Sequence, residues 1–516
     1  MVAGSEADVA RRLDALAYRM YSAKDVAVET HDRVSTGVPG LDTLLGGGLI
    51  GGGVYLVMGR PGTGKTTLGN QACFTHVSTG RRAVYVTLLA ETHARMLRNL
   101  TSMAFFKPEA IGAQIAYVGA YLVLRERRLS GLLALLRRVM ADEKPSLLVL
   151  DGLTTAAALG EPESALKEFV AELQVLSDMS RCTTIVLANM NAVNAAGAEH
   201  SMVDGMVELT LDRNAQRAVR EIEILKFRGG DHFLGRHDLE ITRDGIVVRP
   251  RTEQLLAKRT EVGQATHYRR VSSGVQQLDE MLHGGLLASS TTLLLGFSGS
   301  GKTLLATHFL DAGCKKDEPG LYFGFYETPE RLLETAEQLG IPLRAHCESK
   351  ALELVWQPGV RFGLDQLAER LLTDVRDRKV KRVVIDGIDG FRQSAAYPER
   401  TIRFITAVAN ELRSLDVTVM ITEETQKLFG PEVEVRIPGL SALVDNIILL
   451  EYLDVGSELK RLLSVVKTRG SGHDANVREL NITSKGIEIA ADATTATEIL
   501  MGVYRAGRDP GRSRGT

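Results

Sequence analysis

Residues 59–66 read GRPGTGKT, and residues 296–303 read GFSGSGKT. Both stretches fit the phosphate-binding loop G-x-x-x-x-G-K-[ST], in which backbone N–H groups close on phosphate oxygens and the lysine meets the outer phosphates. Each loop follows an apolar run typical of a strand and precedes a run typical of a helix, which is the context that the motif requires. The sequence therefore predicts two nucleotide-binding loops. Their residues are Gly62, Thr63, Gly64, Lys65, Thr66 and Thr67 in the first loop and Gly299, Ser300, Gly301, Lys302, Thr303 and Leu304 in the second.

The two loops belong to an internal repeat. STGVPGLDTLLGGGL at residues 35–49 returns as SSGVQQLDEMLHGGL at residues 272–286, and Lys65 returns as Lys302. Asp151, at the end of the run SLLVLDG, returns as Asp386, and LKFRGGDH from Leu225 returns as VKTRGSGH from Val466. Ordered landmarks at nearly constant spacing indicate a duplicated domain.

Short β-branched runs alternate with longer helical patterns in both copies, which predicts an α/β fold. We expect two tandem domains with parallel-rich central sheets flanked by helices. The N-terminus carries apolar residues at helical spacing, and the segment between the copies is polar. The predicted boundaries are an N-terminal helical extension at 1–30, a first domain at 31–250, a linker at 251–268, a second domain at 269–490 and a partly disordered tail at 491–516.

Composition limits the function classes. The 516 residues carry 62 basic and 64 acidic side chains, so no global positive field attracts nucleic acid or an anionic membrane. No apolar stretch reaches the length of about 18 residues that a membrane helix needs, so we expect no membrane partner and a cytoplasmic location. The four cysteines form no C-x-x-C pair, which argues against a zinc knuckle or a disulfide framework.

Two aspartates are candidate magnesium ligands. Asp151 and Asp386 each end a buried apolar run, where nucleotide-hydrolysing enzymes of this loop type hold a Mg²⁺-associated carboxylate. The hydroxyls of Thr66 and Thr303 complete the predicted metal set. The alternative interpretation is that each aspartate caps the helix that follows it.

Two glutamates are candidate catalytic bases. Glu91 follows the run AVYVTLLA and Glu327 follows LYFGFY, each next to a threonine. A carboxylate at the tip of the neighbouring strand can orient water or take a proton from a hydroxyl that attacks the γ phosphate. The alternative is a solvated surface glutamate.

Two late strands each carry a lysine and an arginine at positions i and i+2, so both cations point to one face. Because these runs are typical of outer strands, we expect the cations to reach the γ phosphate of a neighbouring subunit and to act as an arginine finger does. The alternative is a solvated edge strand that uses lysine against aggregation. A histidine four residues later contacts ribose or phosphate, or is an ordinary surface histidine. These residues are Lys226, Arg228 and His232 in the first copy and Lys467, Arg469 and His473 in the second.

The motif order resembles one family. S-x-G-V-x-x-L-D, the phosphate loop, a strand-end glutamate-threonine, a strand-end aspartate and K-x-R-G-x-x-H, all repeated, resemble the KaiC family of circadian-clock ATPases in the RecA-like superfamily. The resemblance spans about residues 31–490. It implies ATP and Mg²⁺ as ligands, a two-tiered homohexameric ring with ATP between subunits, hydrolysis in the first tier and autophosphorylation in the second. It also implies KaiB-like or two-component signalling partners.

The chain departs from this family at the glutamates. KaiC proteins have two adjacent carboxylates there, whereas this chain has Ala90-Glu91 and Tyr326-Glu327. The family's adjacent serine and threonine phosphoacceptors correspond to Ser441 and Ala442 in IPGLSALVDNIILL. The resemblance therefore implies Ser441 as the phosphoacceptor. The alternative is that Ser441 lines a turn after Pro438-Gly439.

The motifs predict a Mg²⁺-dependent ATPase, and the resemblance further implies serine autokinase or autophosphatase activity and a signalling or clock-type switch in a ring. One rival is a RecA-type DNA-dependent ATPase, which requires a basic channel or aromatic stacking platforms. The chain has one tryptophan and a net charge of −2, which argues against nucleic acid as a partner. The other rival is a scaffold that binds ATP only to assemble and to recruit signalling partners.

Overall fold

The computed structural model describes residues 32–90, 93–189, 202–213, 218–257, 269–358, 362–425, 437–455 and 458–491. The predicted N-terminal extension at 1–30 lies outside these ranges. Most of the predicted linker and all but the first residue of the predicted tail also lie outside them. Within the described ranges, no helix has the length and apolar character needed to cross a membrane.

The chain forms two compact units. The first comprises the described parts of Met1–Thr210, Glu223–Gly235 and Glu240–Val247. The second comprises those of Leu211–Ile222, Arg236–Leu239 and Val248–Thr516. Each unit contains one phosphate-binding loop.

The first copy of the repeat is built on a nine-stranded sheet with the strand order β11-β10-β9-β8-β3-β7-β6-β4-β5. Strands β3 to β7 pair in parallel with their neighbours, and β8 is parallel to β3. The elements of this copy are β1 Arg33–Val34, α1 Leu41–Leu44, β2 Leu49–Ile50, β3 Val54–Gly59, α2 Lys65–Ser78, β4 Ala83–Thr87, α3 His93–Leu100, β5 Ile115–Gly119, α4 Tyr121–Glu143, β6 Leu147–Asp151, α5 Thr154–Ala158, α6 Glu163–Ser180, β7 Thr183–Asn189, β8 Gly205–Asp212, β9 Val219–Phe227, β10 Arg236–Thr242 and β11 Gly245–Arg249, followed by α7 Thr252–Ala257.

The second copy has a nine-stranded sheet with the strand order β16-β15-β17-β18-β14-β19-β20-β21-β22. Strands β14 to β19 pair in parallel, and β19 to β22 pair antiparallel. The elements of this copy are β12 Arg270–Val271, α8 Gln276–Met281, β13 Leu286–Leu287, β14 Thr291–Gly296, α9 Lys302–Cys314, β15 Gly320–Gly324, α10 Pro329–Gln338, α11 Leu343–Glu348, β16 Leu352–Trp356, α12 Leu364–Asp377, β17 Arg382–Asp386, α13 Asp389–Ser394, α14 Thr401–Ser414, β18 Thr418–Glu424, α15 Leu440–Leu443, β19 Asn446–Val455, β20 Glu458–Lys467, β21 Arg478–Thr483 and β22 Gly486–Ile489.

Both faces of the second sheet are buried, which explains why its strands are nearly continuous apolar runs. Leu293 and Leu295 of β14 belong to the core shared with α12 and α14, whereas Leu294 belongs to the core shared with α9. This alternation follows from the two-residue period of a strand. Helix α12 supplies its apolar stripe at helical spacing through Leu364, Leu367, Ala368, Leu371, Leu372 and Val375. Helices on both faces of a mostly parallel sheet confirm the predicted fold class.

The repeated aspartate before each loop has a structural role. Asp42 Oδ1 accepts hydrogen bonds from the Thr36 backbone N–H at 2.8 Å and from the Thr36 hydroxyl at 2.7 Å. Asp279 accepts hydrogen bonds from the Ser273 N–H at 2.7 Å and from the Ser272 hydroxyl at 2.5 Å, and the latter corresponds to the bond from the Ser35 hydroxyl to Asp42 at 2.6 Å. Each aspartate therefore fixes the turn that leads from the first strand of its copy into the first helix.

The start of the predicted linker is ordered as helix α7 within the second unit. The Thr252 N–H and hydroxyl both donate to Asp365 Oδ1 at 2.8 Å. Arg400 of the 3-10 turn before α14 bonds Glu253 at 2.8 and 2.9 Å and Asp365 at 2.8 and 3.1 Å. Since Arg400 is only 12% exposed, these paired charges anchor the helix in a partly desolvated setting.

Candidate nucleotide-binding sites

The first phosphate-binding loop connects β3 to α2 at the carboxyl edge of its sheet. Gly62 and Gly64 have φ values of +84° and +110°, a backbone region that L side chains rarely adopt. A side chain at Gly64 would also approach Ile241 to 3.0 Å. In the second loop, Gly299 and Gly301 have φ values of +78° and +107°. Each loop therefore has the backbone of an anion-binding turn at a helix N-terminus.

The lysine of each loop folds back onto the loop. Lys65 Nζ donates to the carbonyl oxygens of Gly59 at 2.7 Å and Arg60 at 3.0 Å. Lys302 Nζ donates to the carbonyl oxygens of Gly296 at 2.9 Å and Phe297 at 2.8 Å. Burial lowers the pKa of Lys65, and the negative charge of Asp151 opposes that effect. Both ammonium groups thus lie inside the loops that are predicted to cradle phosphate.

The predicted magnesium ligands lie in contact in both copies. The Thr66 hydroxyl donates to Asp151 Oδ2 at 3.1 Å, and the Thr303 hydroxyl donates to Asp386 Oδ2 at 3.0 Å. A hydroxyl beside a carboxylate suits Mg²⁺, which prefers oxygen ligands and takes few of them from the protein. Among the described residues no cluster of three or more histidine, cysteine, aspartate or glutamate side chains forms another kind of metal site.

The helix-cap interpretation of the two aspartates is wrong. Helix α5, which follows Asp151, has Leu153 as its N-cap residue, and α13, which follows Asp386, has Ile388. Both aspartates instead direct their carboxylates to hydroxyl groups of their own sheet and loop.

Two buried tyrosines at these sites were not predicted. The Tyr85 hydroxyl donates to Asp151 Oδ2 at 2.7 Å, and the Tyr322 hydroxyl donates to Asp386 Oδ2 at 2.5 Å. Burial, followed by the nearby carboxylate, raises the pKa of each phenol well above 10, so each remains a donor. The repeat offered a signal that could have identified them, because both tyrosines occupy the same position in the two copies. They lie within apolar runs that are typical of core strands.

Of the two predicted catalytic glutamates, Glu91 lies outside the described residues. Glu327 directly precedes Thr328, the N-cap residue of α10, and its side chain is 26% exposed. Burial raises the pKa of Glu327, the charge of Asp386 raises it further, and Arg331 at 3.6 Å lowers it. A carboxylate with a raised pKa near the predicted metal ligand Asp386 is suited to accept a proton.

The second cationic pair lies at the opposite, amino edge of its sheet. Lys467 is opposite Ile447 on β19, and Ile447 is opposite Leu293 near the start of β14. Arg469 Nη1 lies 4.0 Å from Asp445, whose Oδ2 accepts the N–H of Thr291 at 2.9 Å. Asp445 thus ties Arg469 to the first residue of β14, whereas the loop follows the sixth, so roughly 17 Å of strand lies between that contact and the loop of the same copy.

The first cationic pair has the same placement. The Arg228 N–H donates to the Asp204 carbonyl at 2.7 Å, and Asp204 Oδ2 accepts the N–H of Val54, the first residue of β3, at 2.9 Å. Burial and the adjacent Arg228 lower the pKa of Lys226. Burial and Arg469 lower the pKa of Lys467 in the same way. Each pair is therefore a concentrated positive site far from its own phosphate loop.

The two predicted histidines and Ser441 lie beside these pairs. His232 packs edge-on against Phe227, with ring centroids 6.3 Å apart, and His473 Nδ1 lies 2.9 Å from the Thr468 hydroxyl. Ser441 is exposed on α15, and its carbonyl oxygen accepts a hydrogen bond from Lys467 at 2.8 Å. The structure thus brings Ser441 together with the second cationic pair at the amino edge.

The comparisons with known proteins agree with this architecture. A family model described as "ATPase: KaiC" matches residues 34–253 and 271–494. The chain is 28% identical over 466 residues to the circadian clock oscillator protein KaiC of Parathermosynechococcus lividus. The alignment covers 88% of this chain and 84% of that relative. It is 27% identical over 497 residues to the circadian clock oscillator protein KaiC 1 of Synechocystis sp., with 93% of each chain covered. It is 26% identical over 485 residues to the circadian clock protein KaiC3 of the same organism, and the alignment covers 91% of this chain and 94% of that relative. Because the family model matches both copies of the repeat, the chain belongs to the KaiC family of ATPases.

Proposed function

We propose that the chain is a Mg²⁺-dependent ATPase that assembles as a ring, with a hexamer as the expected size, and binds ATP between neighbouring copies. The observation that carries the proposal is the separation of two groups within the second unit. The phosphate loop with Lys302 and Asp386 lies at the carboxyl edge, and Lys467 with Arg469 lies at the amino edge. A head-to-tail interface joins unlike surfaces, so it brings the amino edge of one copy to the loop of the next.

Each residue has a definite task in this proposal. Loop N–H groups and Lys302 bind the phosphates, and Thr303 with Asp386 holds the metal. Bound Mg²⁺ neutralises the charge that develops on the phosphate oxygens. Glu327 orients the attacking water and accepts its proton. Arg469 of the neighbouring copy adds positive charge to the γ phosphate as the bond to ADP breaks. Lys65, Thr66, Asp151 and the pair Lys226 and Arg228 have the same tasks in the first site.

We also propose serine autokinase activity at the second site. The Ser441 oxygen of one copy forms a bond to the γ phosphorus held by the next copy, while the bond from that phosphorus to the bridging oxygen breaks and ADP leaves. Glu327 of the neighbouring copy accepts the hydroxyl proton. Exposure of Ser441 beside Lys467 and Arg469 supports this assignment, because the same cations that meet the neighbouring γ phosphate position the serine in line with it.

A switch role follows if the phosphate on Ser441 changes the interface in which it lies. A phosphoserine beside Lys467 and Arg469 gains charge-assisted hydrogen bonds and so alters the contacts between copies. Two of the relatives are named circadian clock oscillator proteins, and this supports a signalling or clock-type role, with KaiB-like or two-component proteins as the partners to test.

Hydrolysis and assembly test the proposal together. ATP turnover is measured for Lys65→Ala and Lys302→Ala, and the mass of each assembly is measured with and without ATP. We expect a ring with ATP and a different share of turnover lost in each variant. A monomer that hydrolyses ATP at the wild-type rate would contradict the shared site. A ring that binds ATP without hydrolysing it would favour the scaffold function instead.

A further inference from the structure

A third hydroxyl contacts the metal-site carboxylate of the second unit. The Thr422 hydroxyl on β18 donates to Asp386 Oδ1 at 2.5 Å, while the same oxygen accepts the Gly387 N–H at 2.7 Å. Since a hydroxyl has one proton, acceptance of the Gly387 N–H leaves that proton directed at Asp386. Thr303 and Tyr322 donate to the other oxygen, Oδ2. Both oxygens of this carboxylate are thus fixed by hydroxyl donors.

The first unit has an aliphatic side chain at the same place. Thr422 is opposite Leu294 on β14, and Leu187 is opposite Val57 on β3. Leu294 and Val57 are equivalent, because each lies two residues before the first glycine of its phosphate loop. Leu187 is fully buried and has no polar group to offer Asp151. The two sites therefore share a threonine and a tyrosine, and they differ at this strand position, which carries a hydroxyl in the second copy and an aliphatic side chain in the first.

The difference bears on metal binding. An ionised carboxylate in a strand end can rotate, and a hydrogen bond to each oxygen removes that freedom before the metal and its waters arrive. Partners that orient a metal-site carboxylate commonly change metal affinity by about 10- to 100-fold. A hydroxyl group that is itself fixed by a backbone N–H is a suitable group for this purpose.

We propose that Thr422 is a positioning residue that strengthens magnesium–nucleotide binding at the second site, a contribution that the Leu187 side chain cannot make at the equivalent position of the first copy. The inference rests on the proposed function, because it requires that both loops bind ATP.

The test compares ATP affinity measured by calorimetry with Mg²⁺ and with EDTA. The parent is Lys65→Ala, in which the second site is the intact one. Thr422→Val replaces the hydroxyl with a methyl group of the same shape, and we expect the gain in affinity from Mg²⁺ to fall by about tenfold. Affinity in EDTA stays at the parent value, since the phosphate loop is unchanged. Thr422→Ser, which restores the hydroxyl, retains the Mg²⁺ gain.

The first site allows the reciprocal comparison. In a Lys302→Ala parent, Leu187→Thr and Leu187→Val remove similar volume and differ only in the hydroxyl. We expect the threonine variant to gain more affinity from Mg²⁺ than the valine variant. Thr422→Ala replaces Thr422→Val if the latter does not fold, and its result is judged in the same way.

Two failures are distinguishable. If the Lys65→Ala parent binds no ATP, the proposed function of the second site fails, and this inference fails with it. If the parent binds ATP but Thr422→Val keeps the full Mg²⁺ gain, or loses affinity equally with EDTA, the inference alone is overturned. A Thr422→Ser variant that behaves like Thr422→Val would also overturn it.

Discussion

Lys467 Nζ donates a hydrogen bond to the Ser441 carbonyl oxygen at 2.8 Å, which joins the end of β20 to the short helix α15. The adjacent Arg469 bonds the Ala442 carbonyl at 2.5 Å. Both cations are therefore held against the serine that the resemblance implies as a phosphoacceptor. The arrangement places two cations beside the exposed Ser441, and in the proposed function these cations meet the γ phosphate that the neighbouring copy binds.

Arg469→Ala should lower ATP turnover at the second site by about 10³-fold, within the range known for a missing arginine finger. ATP affinity should change little, since the phosphate loop is intact. Arg413→Ala is the matched control, because Arg413 bonds the same carboxylate, Asp445, at 2.6 Å but lies on α14. Turnover and calorimetric affinity are measured for both variants in a Lys65→Ala background. Equal losses in the two variants would indicate a structural role for Arg469.

Glu327→Gln should lower turnover at the second site by about 10²-fold or more because it removes a proton acceptor. In the wild-type protein, turnover should rise with pH through the Glu327 pKa, which lies above its ordinary value of 4.5 because of burial and Asp386. Glu330→Gln, at an exposed position in the first turn of α10, is the control. A pH profile that is unchanged by Glu327→Gln would contradict the assignment.

A stability measurement distinguishes a catalytic role of Glu327 from a role in folding. Because the pKa of Glu327 is raised in the folded protein, the neutral form favours folding below pH 4.5, and that contribution is lost as pH rises through the folded-state pKa. Glu327→Gln cannot ionise, so the variant should be at least as stable as the wild-type protein at pH 7. Urea denaturation checks this, and a large loss of stability would mean that the glutamate is structural.

Tyr85→Phe should destabilise the first unit by about 1.5–3 kcal/mol because it removes a hydrogen bond to an ionised carboxylate. Tyr117→Phe is a close control: Tyr117 is opposite Tyr85 on the next strand, and its hydroxyl bonds the neutral amide of Asn70 at 2.9 Å. Loss of the Tyr117 hydrogen bond should lower the free energy of unfolding by about 0.5–1.5 kcal/mol. Urea denaturation of both variants measures the difference. Equal costs would show that the Tyr85 bond to Asp151 has no special strength.

Ser441→Ala should abolish ATP-dependent phosphorylation. Intact-mass measurement after incubation with ATP should show one added phosphate in the wild-type chain and none in Ser441→Ala or Lys302→Ala. The reason is that the donor loop and the acceptor hydroxyl are both required. A phosphate that persists in Ser441→Ala would place the acceptor elsewhere.

The sequence predicted what depends on local pattern. The phosphate loops and the strand-end aspartates have fixed spacings within a repeat, so the chain alone indicates Lys65, Asp151 and their counterparts as candidate site residues. Periodicity also predicted the parallel-rich sheets, because strands buried on both faces are continuous apolar runs. Glu91 remains a prediction, since it lies outside the described residues.

Contacts across the sheet could not be predicted in this way. Tyr322 and Thr422 are on strands that flank Asp386 on opposite sides, and the strand order β15-β17-β18 differs from the order along the chain. The pattern of a single strand gives no register with its neighbours, so a hydroxyl inside an apolar run is interpreted from sequence as part of the core. The amino-edge placement of Lys467 likewise depends on its pairing with Ile447.

Mixing two inactive variants tests the shared site most directly. Lys302→Ala lacks a functional second loop, and Arg469→Ala lacks the cation, but each supplies what the other lacks. Both carry Lys65→Ala so that only second-site turnover is measured. If the site forms between copies, co-assembly in equal amounts should restore roughly a quarter of the Lys65→Ala turnover, because random neighbours pair an intact loop with an intact cation in that fraction of interfaces. Turnover that stays at the level of the separate variants, despite mixed rings of the expected mass, would contradict the account.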